Sequence, residues 1–207
     1  MNLELLFSRL LSNIPNPEIE LEHLDEYTLL VAVMLSAKTT DKAVNLVTAG
    51  LFARAKTPSE MISLGEDKIK EIIKSIGLYR TKAKNLVALS KNIIDRYDGK
   101  VPDRLERLTT LPGIGFKTAK VVLACAFNKP YIAVDTHVFR LAHRLGLADG
   151  RTPDAVSDQL ESIIPKHLAV KTNLLLVLHG RYVCKAKVPN CNKCCISDLC
   201  PHNLQRL

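Results

Sequence analysis

The sequence predicts an all-α protein, and three observations support that prediction. Apolar residues recur at intervals of three and four along almost the whole chain, which is the spacing of one helix face. No alternation of apolar and polar residues is long enough to build a sheet, and the one extended-looking run, PYIAV at residues 130–134, is short. The 207 residues are 47% hydrophobic and 5% aromatic, which indicates an aliphatic core.

The predicted helices follow one another with short connections. The first is expected at the N-terminus, where Leu3, Leu6, Leu10 and Ile14 share one helix face. The second, residues 28–36 (TLLVAVMLS), is too apolar for a surface helix and is expected to run through the core. Further helices are predicted over residues 41–53, 58–64, 66–75, 80–97, 104–110, 116–127, 136–146, 152–164 and 170–184.

Several of these limits come from residues that start or stop helices. Thr57 and Pro58 supply a cap and a first-turn proline for the helix at 58–64. Gly65 and Gly77 are expected to end that helix and the next one, because glycine adopts the left-handed conformation common just beyond a helix. The long helix is expected to stop near Gly99 for the same reason.

The net charge of +8 is distributed unevenly. Residues 1–36 contain one basic and six acidic residues, whereas residues 37–207 carry a balance of +13. Such asymmetry is typical of a protein with a face for a polyanion such as nucleic acid, although a merely basic soluble protein has the same balance. Charges interrupt every apolar stretch, and the N-terminus lacks a basic signal-peptide segment. We therefore expect a cytoplasmic protein without a membrane span.

Residues 111–120 (LPGIGFKTAK) place two glycines between two predicted helices. Pro112 ends the first helix, and Gly113 and Gly115 are expected to allow positive φ and the close approach of another backbone. The second helix then begins with amides that lack intrahelical partners and with the positive end of its dipole, which together suit a phosphate. A tight turn between helices, without any ligand, has the same pattern.

Five of the six cysteines crowd into residues 184–200 (CKAKVPNCNKCCISDLC), whereas Cys125 lies on an apolar helix. Four of the five follow the spacing C-x6-C-x2-C-x5-C: Cys184, Cys191, Cys194 and Cys200. In a chain without secretory features, such a group indicates a metal before disulfides. The spacing suits a [4Fe–4S] cluster or a structural zinc ion, and Cys195 is an alternative to Cys194.

Together these segments resemble the endonuclease III family of DNA glycosylases. The run LPGIGFKTAKVVL followed by IAVDTHVFRLAHRLGL resembles the helix–hairpin–helix of that family and the helix after it. Three further segments add to the resemblance: residues 35–41 (LSAKTTD), 76–83 (IGLYRTKA) and 178–184 (LHGRYVC). The resemblance implies two helical lobes. Residues 19–129 would form a six-helix domain with the hairpin, and residues 1–18 plus 130–207 would form a domain with an iron–sulfur loop.

The resemblance also implies two catalytic residues. Lys117 would attack C1′ of a damaged nucleotide, since a primary amine can displace the base, form a Schiff base and promote β-elimination. Taken alone, Lys117 is a surface lysine at a helix start. Asp135 would stabilise the positive charge that develops on the sugar. Taken alone, Asp135 is the N-cap of the helix that begins THVFRLAHRL.

The cysteine segment resembles the [4Fe–4S] loop of the family, with Cys194 rather than Cys195 as the third ligand and a structural role for the cluster. Lys185 and Lys187, between the first two cysteines, would then contact DNA phosphates. A solvated loop is the alternative for these two lysines.

The chain departs from the family at positions expected to meet DNA. Lys38 replaces a glutamine that fills the space left by the extruded nucleotide, and an ammonium donates hydrogen bonds but accepts none. This change leaves open which base the protein prefers opposite the damaged nucleotide. Leu78 lies at the family's second inserted position, where a core leucine is the alternative. Phe116 replaces a basic residue beside the candidate nucleophile.

The sequence therefore predicts a bifunctional DNA glycosylase and AP lyase for oxidised pyrimidines and abasic sites in double-stranded DNA. It is expected to be a cytoplasmic, nucleoid-associated monomer. An adenine-mismatch glycosylase is the alternative enzyme. Such an enzyme usually lacks the hairpin lysine and has a further C-terminal domain, so Lys117 and the length of 207 residues argue against it. A protein of another class, an inactive iron–sulfur module that binds DNA through the hairpin, is the remaining alternative.

Overall fold

The structure is a computed structural model that describes residues 2–204. No β-strand lies within this range, and the all-α prediction is confirmed. The helices are α1 Leu3–Asn13, α2 Glu26–Leu35, α3 Asp41–Phe52, α4 Pro58–Leu64, α5 Glu66–Ile73, α6 Tyr79–Tyr97, α7 Leu105–Leu108, α8 Phe116–Phe127, α9 Thr136–Arg144, α10 Pro153–Ile163, α11 Lys166–Tyr182 and α12 Pro201–Leu204. Two short 3₁₀ turns, Cys191–Lys193 and Ser197–Leu199, lie in the cysteine segment.

Local capping determines where several helices begin and end. Helix α4 has the predicted limits, because Thr57 and Glu60 form a reciprocal capping box and Gly65, with φ +78°, follows its last residue. The prediction for Gly77 is wrong, because α5 ends earlier, at Ile73. The residue after α5, Lys74, is right-handed, and Gly77 lacks positive φ.

Helices α7 and α11 also differ from their predicted limits. Helix α7 has only four residues, because the hydroxyl groups of Thr109 and Thr110 donate back to carbonyls of that helix and the chain then reaches Pro112. Helix α11 begins four residues before its predicted start, directly after Pro165, whose ring restricts φ at the helix entry.

Residues 130–134 form no strand, and side chains of α10 satisfy the polar backbone groups there. Glu161 accepts a hydrogen bond from the amide of Ile132 at 2.8 Å, and the Ser157 hydroxyl donates to the carbonyl of Ile132 at 2.7 Å. The extended segment is therefore fixed without a partner strand.

Helix α2 forms the centre of one compact unit, Ile19–Phe127. All residues from 27 to 35 are buried, and the helix packs against α3, α6 and α8. Asp25 and Thr28 cap its start reciprocally, with 2.8 and 2.9 Å hydrogen bonds to each other's backbone amides. The prediction of a core helix here is confirmed, although the helix begins and ends slightly earlier than residues 28–36.

The second compact unit joins the N-terminal helix to the chain from Asn128 onward. Leu6, Phe7 and Leu10 of α1 are buried in one core with residues of α9, α10 and α11. The Arg9 guanidinium binds both carboxylate oxygens of Asp198, at 2.6 and 2.8 Å, and so links α1 to the cysteine segment. The units meet in sequence two residues from the predicted boundary at 129, and their independence as domains stays a prediction. Within the described residues, no helix has the length and apolar character needed to cross a membrane.

Candidate functional site

The turn between α7 and α8 requires glycine at one of its two glycine positions. Gly113 has φ +79°, and a Cβ atom built there would lie 2.9 Å from Nδ2 of Asn85 and 3.2 Å from Sδ of Met34. Gly115 lacks positive φ, and a Cβ there would meet nothing within 4 Å. The expectation of positive φ at both glycines is therefore wrong for Gly115. Ile114 between them is buried, which anchors the turn to the unit beneath it.

Helix α8 begins with two exposed residues. Phe116 has 60% of its surface exposed, and Lys117 is also exposed. The amide of Ala119 donates to the carbonyl of Gly115 at 3.0 Å, which is the first helical hydrogen bond. The amides before Ala119 precede the helical pattern, so they point out of the helix start beside the Lys117 side chain. This geometry suits an anion next to a primary amine.

Asp135 is the N-cap of α9. Its Oδ1 atom accepts hydrogen bonds of 2.8 Å from the amides of both His137 and Val138, and its side chain is half-buried. The capping role expected from the sequence is confirmed. Both hydrogen bonds end on one oxygen, so the carboxylate is held in a fixed orientation.

Lys38 and Leu78 share an unusual backbone conformation. Both are non-glycine residues in the left-handed region, with φ of +55° and +59°. Lys38 is exposed, and Leu78 exposes 58% of its surface, so Leu78 is not a core leucine. Their loops are neighbours, since a Cβ built on Gly77 would lie 3.8 Å from the carbonyl oxygen of Lys38.

A buried lysine that the sequence analysis did not single out lies beneath these loops. Lys82 exposes 5% of its surface, and its ammonium donates to Leu35 O at 2.8 Å, Ala37 O at 2.9 Å and Thr39 Oγ1 at 3.2 Å. Burial lowers the pKa of Lys82, whereas the three oxygen acceptors stabilise its charged form. Its helix position, on the apolar side of α6, was the available sequence signal.

The cysteine segment surrounds a small cavity of about 20 Å³. Its lining includes four cysteines, namely Cys184, Cys191, Cys194 and Cys200, but not Cys195. Burial raises the pKa of Cys194 to about 11, so a ligand that binds its thiolate must displace a proton. No three His, Cys, Asp or Glu side chains in residues 2–204 are arranged around a single ion position.

Two arginines of α9 hold the first part of this segment in place. Arg140 donates to the carbonyls of Gly180 and Cys184 at 2.7 and 3.1 Å. Arg144 donates to Sγ of Cys184 at 3.2 Å and to the carbonyls of Lys185 and Ala186, both at 2.8 Å. The sequence analysis did not predict this function, for which the signal was the spacing of four between two basic residues on one helix face.

The lysines predicted to contact phosphate lie in the part of the segment that the two arginines bind. Lys185 and Lys187 are both exposed, and the carbonyl of Lys185 is one of those bound by Arg144. The backbone of this loop is therefore fixed while the lysine side chains remain in solvent. Such an arrangement allows contact with a polyanion without prior ordering of the backbone.

The fold and the hairpin match a known class of protein. The model of the "HhH-GPD superfamily base excision DNA repair protein" matches residues 31–166, which include Lys117 and Asp135. The chain is 49% identical to endonuclease III of Rickettsia conorii over 95% of its own length and 94% of that protein. It is 44% identical to endonuclease III of Escherichia coli K12, over 95% and 93% of the two chains. The chain belongs to the endonuclease III family.

Solved structures of that family have the same fold. A trapped endonuclease III–DNA covalent intermediate superimposes with a TM-score of 0.89 and 41% identity, covering 97% of this chain and 94% of that one. A non-covalent endonuclease III–DNA complex gives a TM-score of 0.90 and 40% identity, with coverage of 99% and 96%. The helix–hairpin–helix glycosylase fold expected from the sequence is confirmed.

Gly113 and Gly115 differ in backbone conformation and in the space available for a Cβ atom. Substitution by alanine is therefore expected to change stability by different amounts at the two positions. We expect Gly113→Ala to lower the free energy of unfolding by about 1–2 kcal/mol or more, because a left-handed alanine is strained and its Cβ overlaps Asn85. Gly115→Ala is the matched control, expected to change stability by less than about 0.5 kcal/mol. Urea denaturation measures both values. Equal losses in the two variants would contradict the different roles of these glycines.

Proposed function

We propose that this chain removes oxidised pyrimidines from duplex DNA and then cleaves the abasic site on its 3′ side. Membership in the endonuclease III family makes it a base excision repair glycosylase and AP lyase. The observation that carries the residue assignment is the exposed amine of Lys117 at the start of α8, directly after the hairpin turn. The similar structure of a trapped covalent intermediate with DNA supports a covalent route.

Lys117 is the proposed nucleophile. Its unprotonated Nζ forms a bond to C1′ as the bond from C1′ to the base breaks, and the base leaves with that electron pair and takes up a proton. Opening of the sugar ring converts the adduct to a Schiff base. Loss of a proton from C2′ then breaks the bond from C3′ to oxygen and releases the 3′ phosphate. Water finally hydrolyses the imine and frees the amine.

Asp135 is the proposed electrostatic partner in this reaction. A carboxylate stabilises the oxocarbenium-like sugar as the base departs and can accept a proton from the amine as the amine attacks. The two amide hydrogen bonds to its Oδ1 orient the group before DNA binds. Capping and catalysis are compatible, because the cap requires an oxygen acceptor whereas the reaction requires the charge.

Several exposed groups are the proposed DNA contacts. The turn at Gly113 and Gly115 presents the first amides of α8 to a phosphate. Lys38 and Leu78 enter the space vacated by the extruded nucleotide, since both side chains are exposed on adjacent loops. In the other unit, two further exposed lysines of the cysteine segment are proposed to bind phosphates: Lys185 and Lys187.

The four cysteines that line the cavity are the proposed ligands of a [4Fe–4S] cluster. The fit rests on their arrangement, because each iron of such a cluster binds its own thiolate and the sulfurs can therefore lie around a space. A zinc ion instead requires all four sulfurs at about 2.3 Å from one point. When bound, the cluster supplies four metal–thiolate cross-links and no step of the sugar chemistry. We also propose that the chain acts as a monomer in the nucleoid, since one copy carries every residue assigned here.

Borohydride trapping on DNA with an abasic site tests the nucleophile. The wild-type protein is expected to form a covalent adduct, because borohydride reduces the Schiff base, and Lys117→Ala is expected to form none. Lys120→Ala, one turn further along α8, is the control and should keep the adduct. An adduct that persists in Lys117→Ala would assign the chemistry to another amine. A wild-type protein without an adduct would indicate a DNA-binding module.

Substitution of Asp135 separates its two functions. Asp135→Asn keeps an oxygen that can accept the amides of His137 and Val138, so α9 should stay capped and affinity for duplex DNA should change little. Loss of the charge should slow base removal by roughly 100-fold or more in single-turnover assays. Asp135→Ala is the comparison that loses the cap as well. Equal losses of binding and base removal in Asp135→Asn would exclude the catalytic role.

Two adjacent cysteines give a matched test of the cluster. Cys195→Ser should retain the brown colour and four irons per chain, because Cys195 does not line the cavity. Cys194→Ser should lose iron and colour, because one ligand is missing. Metal analysis and visible absorbance measure both. Zinc in place of iron would overturn the cofactor assignment, and equal iron loss in the two variants would overturn the choice of ligand.

A further inference from the structure

Groups of the protein itself accept all the hydrogen bonds that the Lys82 ammonium can donate. An ammonium has three N–H donors, and Lys82 has three oxygen acceptors at 2.8, 2.9 and 3.2 Å. All three acceptors are uncharged, and the side chain is 5% exposed. A buried cation is costly unless its donors are satisfied, so this lysine is held in one geometry.

These acceptors bracket the exposed residue Lys38. Leu35 is the last residue of α2, whose final carbonyls lie at the negative end of the helix dipole. Ala37 directly precedes Lys38 and Thr39 directly follows it. The ammonium therefore joins the end of a buried helix to both sides of the left-handed residue, and it fixes the backbone from which the Lys38 side chain extends.

The backbone of Lys82 binds the second loop. Its amide donates to the carbonyl of Leu78 at 2.9 Å, which forms the first turn of α6. Leu78 is itself left-handed, and a left-handed non-glycine residue is strained by about 1–2 kcal/mol. One residue thus contacts both loops, through its side chain on one and through its main chain on the other.

We propose that Lys82 is a positioning residue that fastens the loops of Lys38 and Leu78 into one rigid unit for insertion into DNA. This inference rests on the proposed function, which has these two residues enter the duplex. Lys82 is buried and therefore acts through the loops rather than on the DNA. Without the ammonium, Ala37 and Thr39 are released from α6, and insertion must first order the loop.

The test compares Lys82→Met with Lys91→Met. Methionine keeps a long unbranched side chain but lacks the donors, and Lys91 is an exposed lysine of the same helix, so both variants lose one positive charge. The DNA is a duplex with a tetrahydrofuran abasic-site analogue opposite 2-aminopurine, whose fluorescence rises when it is unstacked. An identical duplex without the analogue measures binding to undamaged DNA.

We expect the wild-type protein and Lys91→Met to raise the fluorescence on binding. Lys82→Met should bind undamaged DNA as Lys91→Met does, but it should lose most of the fluorescence rise. Its preference for the analogue over undamaged DNA should fall about tenfold, since charge-assisted hydrogen bonds are lost. Lys82→Arg retains donors and should restore part of the fluorescence rise, which a simple loss of stability would not do.

Several outcomes would overturn this inference. A fluorescence rise in Lys82→Met equal to that in Lys91→Met would do so, as would a wild-type protein that gives no rise. Borohydride trapping by the wild-type protein separates this inference from the proposed reaction. A covalent adduct without any fluorescence rise would overturn the inference about Lys82 and leave the proposed reaction supported. If Lys82→Met does not fold by circular dichroism, Thr39→Val removes one acceptor with little change in shape. A full fluorescence rise in that variant would also overturn the inference.

Discussion

The close approach of Gly113 to Asn85 and Met34 is the contact on which the geometry of the candidate site depends. Met34 belongs to α2 and Asn85 to α6, so three helices meet where α8 is about to begin. Because the turn admits no side chain at Gly113, the start of α8 has one position relative to the other two helices. The start of α8 and the loops that follow α2 and precede α6 therefore lie next to one another.

Both proposed catalytic groups lie at helix starts, for different physical reasons. Lys117 lies in the first turn of α8, where outward amides attract an anion. Asp135 precedes α9, where the same kind of amides bind its carboxylate directly. Helix starts thus offer amides for the proposed phosphate contact in one unit and orient the carboxylate in the other.

Features with local causes could be predicted from the sequence. The limits of α4 and α8, the cap at Asp135 and the spacing of the cysteines depend on residues within a few positions of each other. The position of Lys82 on the apolar side of α6 could indicate its burial, but its acceptors lie 43 to 47 residues away, so no local pattern could indicate its partners. The start of α11 and the short α7 were missed because proline and threonine side chains, rather than periodicity, set those limits.

Helix α9 connects the proposed chemistry to the cysteine segment. Its first amides orient Asp135, and its arginines at positions 140 and 144 bind carbonyls of the segment that carries Lys185. The donors to the carboxylate belong to α9 itself, whereas several acceptors of the arginines belong to the cysteine segment. The cap of Asp135 therefore does not depend on hydrogen bonds from the cysteine segment. The proposed cluster would then support the proposed phosphate contacts of Lys185 and Lys187 rather than the reaction at the sugar.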